Sequence, residues 1–321
     1  MTKLFRDLDG GPLCPQGSVV CIGGFDGLHV GHQALLRRVH ARAAALGVPA
    51  AAVSFEPLPR EFFAADGAAP ARLTPVRRRI QGFRALGMDV LGLLRFNRNL
   101  ASCSAEDFVR RLLVARLRVR EVWVGEGFRF GHRRLGDVAL LRALGAEHGF
   151  ATCHIAPVEF DGERVSATRI RSLLAEGRLD AVEPMLGQPY RLAGRVLSGA
   201  RLGRTLGYPT ANIGLRGKRP ALSGIFAVNV VGVADRLWPG VASLGTRPTV
   251  DDGAPVLEVH LFDFDGDLYG RCIEVEFVAK LRDELRFPDL PSLVEQMRLD
   301  EAQARALLAT VPEPATGRRT A

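Results

Sequence analysis

The feature that most constrains the fold is a change of hydrophobic period near Leu186. From Ser18 to about Leu186, short apolar runs alternate with longer amphipathic stretches. Strand-length runs separated by helix-length stretches bury both faces of their strands by placing helices on each side of a parallel sheet. After Leu186-Gly-Gln-Pro-Tyr, glycine and proline become frequent and apolar residues alternate, as in Ile225, Ala227, Asn229, Val231 and in Leu257, Val259, Leu261. Period two broken by turn residues predicts an antiparallel barrel. The expected architecture is a doubly wound, Rossmann-like α/β domain over 1–186, an antiparallel β-barrel domain with a C-terminal helix over 187–310, and a frayed tail over 311–321.

Within the first domain, the runs at 18–23, 49–55, 88–94, 120–125 and 150–156 predict strands, and the stretches 31–46, 75–86, 105–117 and 137–148 predict helices. A last helix is expected over 291–308. There is no internal repeat or low-complexity block. The five cysteines are scattered, odd in number and without a C-x-x-C pair, which suggests neither a disulfide framework nor a thiolate zinc site and points to a reducing cytosol. No stretch approaches the roughly 18 apolar residues of a membrane span, so neither export nor insertion is expected. The net charge of +8 is spread along the chain as arginine, which favours small anions such as ATP over nucleic acid.

The first predicted strand runs into Gly23-Gly24-Phe25-Asp26-Gly27-Leu28-His29-Val30-Gly31-His32. Glycines at a tight turn followed by a helix start form the outline of a phosphate site, because unpaired N–H groups and the helix dipole attract anions. His29 and His32, three residues apart, point the same way from the first turn and can donate hydrogen bonds to phosphate oxygens. Two other readings stay open on the residues alone: ordinary surface histidines, or metal ligands with Asp26 as the only local third donor.

This segment resembles the bacterial bifunctional riboflavin kinase/FAD synthetases, a branch of the nucleotidylyltransferase superfamily marked by H-x-G-H after the first strand. Phe55-Glu56-Pro57, Val124-Gly125 with Phe128-Arg129-Phe130-Gly131, and Thr168-Arg169-Ile170-Arg171 agree with it. The resemblance implies an FMN adenylyltransferase in which Gly23, Phe25, Asp26, Gly27, His29, His32, Thr168 and Arg171 bind ATP and its phosphates. It places flavin against Phe55, Pro57, Phe128 and Phe130. Four positions depart from the pattern: Gly24 stands where Asn is usual, Leu58 where His or Gln is, Gly127 where Asp or Asn is, and Ala167 where Ser is.

In the second half, Gly194-Arg195-Val196-Leu197-Ser198-Gly199 leads to Gly203-Arg204-Thr205-Leu206-Gly207-Tyr208-Pro209-Thr210-Ala211-Asn212. A strand and a glycine-rich loop can wrap backbone N–H groups around phosphates, although barrels also use glycine at corners. Thr210 and Asn212 lie on the same side of an extended segment, and such oxygen donors suit magnesium, which completes its shell with water and phosphate. An edge or turn motif is the other reading.

The segment is similar to the riboflavin kinase signature. The resemblance implies ATP binding by Gly199, Gly203, Arg204, Gly207, Pro209, Thr210 and Asn212, Mg2+ at Thr210 and Asn212, Glu258 as the base that takes the proton of the ribityl hydroxyl, and a flavin contact at Arg282. Without it, Glu258 and His260 read as the solvated face of an alternating strand, and Arg282 as a partner for its neighbouring carboxylates.

The expected function is ATP-dependent phosphorylation of riboflavin to FMN by the barrel and adenylylation of FMN to FAD by the α/β domain, with riboflavin, FMN, FAD and ATP as partners. Two competitors are a riboflavin kinase whose first domain is a degenerate nucleotide-binding or structural module, and a flavin- or RNA-binding regulator without turnover.

Overall fold

The computed structural model describes residues 2–65, 69–198, 203, 206–215, 219–246 and 255–309. Gly199, Arg204 and the tail over 311–321 lie outside them. The chain divides into two compact units, Met1–Ala167 and Thr168–Ala321.

The first unit contains strands β1 (Lys3–Phe5), β2 (Ser18–Ile22), β3 (Ala50–Glu56), β4 (Val90–Arg95), β5 (Val119–Gly125) and β6 (Ala151–Ile155). They form one sheet of order β1-β4-β3-β2-β5-β6 in which every pairing is parallel. Strand β2 is buried throughout, as a central parallel strand covered on both faces must be. Helices α1 (Val30–Leu46), α2 (Pro59–Phe62), α3 (Val76–Ala85), α4 (Arg98–Ala101), α5 (Ala105–Phe108) and α6 (Val138–His148) connect the strands. One core joins Leu36 and Val39 of α1 and Phe83 of α3 to Val19 and Cys21 of β2. The other joins Leu112, Leu113 and Leu141 to Val20 and Ile22 of the same strand. Alternate residues of β2 thus feed opposite layers, as period two requires. A short hairpin, β7 (Glu159–Phe160) and β8 (Glu163–Arg164), follows the sheet.

The predicted strands and helices of this unit are present, with some differences, the unpredicted β7–β8 hairpin among them. Strand β1 carried no sequence signal because it is a three-residue edge strand with its first two residues exposed. The helix expected over 105–117 is α-helical only to Phe108 and then widens to i→i+5 hydrogen bonding over Val109–Arg116. The single-turn helices α2 and α4 also went unpredicted, being too short to show a period.

The second unit begins with α7 (Ala167–Glu176) and α8 (Leu179–Leu186), followed by β9 (Arg191–Leu197), β10 (Ala211–Ile213), β11 (Gly224–Val231), β12 (Trp238–Thr246), β13 (Pro255–Leu261), β14 (Cys272–Arg282) and α9 (Leu290–Ala309). The strands close into an antiparallel barrel of order β10-β13-β12-β11-β14-β9. Helix α8 packs on β14, which explains why it stands with this unit although the period of the sequence changes after it.

Strand β11 corrects one expectation. Its alternating set was read as Ile225, Ala227, Asn229 and Val231, yet Phe226, Val228 and Val230 are fully buried, with Phe226 edge-on to Phe277. Ala227 is also buried, in a cluster with Phe262 and Ala304 of α9. Helix α9 covers the outer face of the strand, so both faces are apolar and alternation no longer reports which one faces the barrel. Among the described residues no helix is long and apolar enough to cross a membrane.

Candidate active sites

In the first unit the sheet order reverses beside β2: β3 lies on one side of it and β5 on the other. Ligands of open parallel sheets bind outside the carboxyl ends of the strands at such a point. The segment Gly23–His32 leaves that end of β2 and enters α1, so the topology delivers the motif to the crevice. His29 is the N-cap of α1, and its Nδ1 accepts a hydrogen bond from the His32 backbone N–H at 3.3 Å. The two imidazoles stack with centroids 3.6 Å apart. Burial pushes the His29 pKa down to about 4, helped by the charge of Arg164, and burial together with His29 holds His32 well below its ordinary value. Both rings are therefore neutral near pH 7. Because His29 accepts at Nδ1, its proton resides on Nε2. The Nδ1 of His32 is buried without a partner among the described residues.

The neighbours of this pair are mostly occupied by the fold. The Phe25 ring is 1 % exposed and packs edge-on against His32 and Phe83. The Asp26 carboxylate accepts hydrogen bonds from the backbone N–H groups of Leu73 and Thr74, at 3.1 and 3.0 Å. Gly27 supplies a φ of 82° in the turn. The Gly24 carbonyl is fixed by Ser54 Oγ at 3.0 Å and by the buried guanidinium of Arg79 at 2.9 Å.

Phe55 sits edge-on to Phe96, which in turn meets Phe62 and Phe63; Phe63 is 66 % exposed. Pro57 is exposed. Phe128 stacks on Phe130, whose other neighbour is Phe108 of the core. Thr168 and Arg171 stand near the start of α7, about one turn apart, and fall in the second unit. Arg164, on the β8 hairpin, escaped the sequence reading. Its charge reaches both histidines, and its Nη2 lies 3.9 Å from where a Cβ on Gly125 would stand.

In the barrel, Gly203, Thr210, Asn212, Glu258 and Arg282 line one cavity of about 410 Å³. Asn212 of β10 lies directly opposite Glu258 of β13, and Glu258 directly opposite Ser243 of β12, so one rung of the ladder carries three oxygen-bearing side chains into it. Tyr208 accounts for the glycine at 203: its carbonyl occupies the space a Cβ there would need, and its N–H bonds the Gly203 carbonyl at 2.8 Å. Gly207 turns the chain with a φ of 83°. The Pro209 carbonyl is held by His260 Nδ1 at 2.9 Å, which anchors the segment just before Thr210. The same cavity is lined by the apolar Leu285, Phe287, Leu293 and Met297 and by Glu284, whose carboxyl pKa is raised by burial. Arg282 does not pair with the side chains of Asp283 or Glu284; it forms an ion pair with Asp300 of α9 at 2.7 Å, while Asp283 meets Lys280.

Comparison with known proteins assigns each half of the chain to a family model. The family model described as FAD synthetase matches residues 12–169 and that described as riboflavin kinase matches 186–308. The chain is 48 % identical to the bifunctional riboflavin kinase/FMN adenylyltransferase of Pseudomonas fluorescens, over 92 % of this chain and 94 % of that protein. Its identity to the protein of the same description from Escherichia coli K12 is 43 %, covering 94 % and 97 %. The chain belongs to the bifunctional riboflavin kinase/FMN adenylyltransferase family.

Among solved structures, a Streptococcus pneumoniae chain described as a macrolide-efflux protein superposes with a TM-score of 0.81 at 28 % identity, covering 95 % of this chain and 98 % of that one. The FAD synthetase match runs through all four departures, Gly24, Leu58, Gly127 and Ala167. Two of these meet in space: a Cβ on Gly24 would lie 3.7 Å from Leu58 Cδ2, so the two changes replace a pair of polar side chains by one apolar residue packed over a glycine. A side chain at Gly127 would meet nothing within 4 Å.

Proposed function

We infer that the chain carries out two consecutive reactions, phosphorylation of riboflavin to FMN in the barrel unit and adenylylation of FMN to FAD in the α/β unit, with ATP as co-substrate of both. The observation that carries this reading is the convergence of Thr210, Asn212 and Glu258 on one barrel cavity that also has an apolar wall suited to a flat ring. A degenerate first domain is not favoured, because the FAD synthetase match spans the first unit and relatives at 43–48 % identity carry both activities in their names.

In the kinase step, the ribityl 5′-hydroxyl oxygen forms a bond to the γ-phosphorus of ATP as the bond to the β,γ-bridging oxygen breaks, and ADP leaves. Glu258 takes the hydroxyl proton. Its neighbours fix it there, since the Asn212–Glu258–Ser243 rung sets its position through backbone hydrogen bonds rather than flexible contacts. Thr210 and Asn212 are hard, neutral oxygen donors at alternate positions, a set that fits Mg2+ shared with a triphosphate. When bound, that ion supplies charge neutralisation across the phosphates. The His260–Pro209 bond holds the Thr210 segment in place for it.

In the adenylylation step, a phosphate oxygen of FMN attacks the α-phosphorus of ATP, the bond to the α,β-bridging oxygen breaks and pyrophosphate leaves. The neutral His29 donates from Nε2 to the phosphates, and His32 lies stacked against it. Arg164 adds a positive charge at the same place. Phe55, Pro57, Phe128 and Phe130 form the flavin side of this site. The five cysteines are free, in keeping with a cytosolic enzyme.

The test is incubation of the purified chain with riboflavin and Mg-ATP, separating riboflavin, FMN and FAD over time. FMN followed by FAD is expected. FMN alone, even when FMN is supplied as substrate, would reduce the first unit to a binding module, and no product would remove the enzyme assignment.

A further inference from the structure

Helix α9 carries an ionised side chain where packing alone would favour an apolar one. Asp300 is 4 % exposed, yet it points at the kinase cavity that Leu293 and Met297 of the same helix also line. Positions 293, 297, 300 and 304 recur at helical spacing on one face, and the last of them, Ala304, is buried against Ala227 and Phe262. Burying a carboxylate costs free energy that only a well-formed partner offsets, and a hydrophobic residue of similar size stabilises such an interface equally well or better. The partner here is Arg282, which gives its Nε to both Asp300 oxygens at 2.9 and 3.1 Å and its Nη2 to Oδ2 at 2.7 Å. Gln296, one turn earlier on α9, donates to Asp300 Oδ1 at 2.9 Å and fixes the carboxylate itself.

The rest of the guanidinium is arranged as deliberately. Nη1 donates to the Asp283 carbonyl at 2.9 Å, and the Phe287 ring centroid lies 5.8 Å from Cζ. Of the five N–H bonds of Arg282, one each on Nη1 and Nη2 has no partner among the described residues, and the side chain lines the cavity. An arginine neutralised by an ion pair offers these donors without net charge. That suits an uncharged flat ring bearing carbonyl acceptors better than a phosphate.

We propose that Asp300, held by Gln296, is a positioning residue of the riboflavin kinase site: it locks the Arg282 guanidinium in the orientation that presents its remaining N–H groups to the ring carbonyls of riboflavin. The helix that covers the outer face of β11 is thereby part of the substrate site. The proposal rests on the reading of the barrel cavity as the riboflavin site.

The test is steady-state kinetics of the full chain with riboflavin and Mg-ATP, with thermal melts of every variant. Asp300→Asn is expected to raise the KM for riboflavin about tenfold, the size of effect that losing a charge-assisted, geometry-setting contact produces, and to leave the KM for ATP and the adenylylation of supplied FMN unchanged. Gln296→Leu, which leaves no charge unpaired, should shift the same constant in the same direction by less. In an Arg282→Ala background, Asp300→Asn should add nothing, because Asp300 acts only through Arg282.

A lowered melting temperature with unchanged riboflavin KM in both single variants would make the pair a mere staple between α9 and β14 and overturn the proposal, as would additive losses in the double variant. If Arg282→Ala itself leaves riboflavin KM unchanged while turnover persists, Arg282 does not meet the substrate and the proposal falls, with the kinase assignment intact. If the wild-type chain makes no FMN, the underlying reading has failed instead.

Discussion

The two candidate sites are built by opposite routes. The site of the α/β unit is concentrated in Gly23–His32, where one strand end, one glycine turn and one helix N-terminus follow each other in the chain. The barrel site is gathered from the segment around Gly203–Asn212, from β12, β13 and β14, and from α9. Their chemistry differs accordingly. The first gathers neutral imidazoles and backbone N–H groups, and most of its side chains are already engaged in holding the turn. The second gathers a carboxylate, oxygen donors and an ion pair placed by strand register. A site made by one local turn tolerates changes around it as long as the turn survives, whereas a site made by register depends on every element that sets it.

The comparison can be broken most sharply at Glu258. Glu258→Gln keeps the rung but removes the base, and FMN formation should fall by roughly 10²- to 10⁴-fold, while conversion of supplied FMN to FAD is untouched; parallel loss of both activities would mean that the two sites are not separable. His29→Ala is expected to lower FAD formation on the order of 10²-fold and to leave riboflavin phosphorylation unchanged, as read by the same chromatography.

A stability experiment distinguishes the units by pH. An unfolded histidine takes up its proton near 6.5, but His29 in the fold does so only near 4. Stability from this group is therefore complete above pH 6.5 and is lost as pH falls from 6.5 through 4, by about 3 kcal/mol in total. Acid melts of the wild type should show that slope and His29→Gln should reduce it, with His32, also held low, keeping the remainder; an unaltered slope would mean that His29 is already charged in the fold. The smallest effect is expected at Gly24→Ala. The added methyl group meets only Leu58, at ordinary contact distance, and the substitution should leave the melting temperature equal or slightly higher and FAD formation within about twofold. A large loss would show that the open glycine itself is needed by the nucleotide.

Much of this was legible in the sequence, for identifiable reasons. The parallel sheet could be read because its strands are short and wholly apolar while its helices are amphipathic, and the first site because its parts are adjacent in the chain. Thr210 and Asn212 could be read as a pair because alternation along a strand is local. Arg164 gave no signal: it is one arginine among many, and its approach to His29 depends on where the β7–β8 hairpin lies. The orientation of β11 was hidden because α9 makes its outer face apolar too.

What the sequence determined by itself was the class of each unit, the glycine turn at the start of the first helix and the residue types available around it, all of which follow from propensities and periods acting over a few neighbouring residues. What only the tertiary structure decided was which distant residues share a cavity: that Ser243, Asn212 and Glu258 form one rung, and that Arg282 is held by Asp300 rather than by the carboxylates beside it. The physical reason is that strand register and helix docking are fixed by the burial of whole faces at once, and no short window of sequence contains that sum.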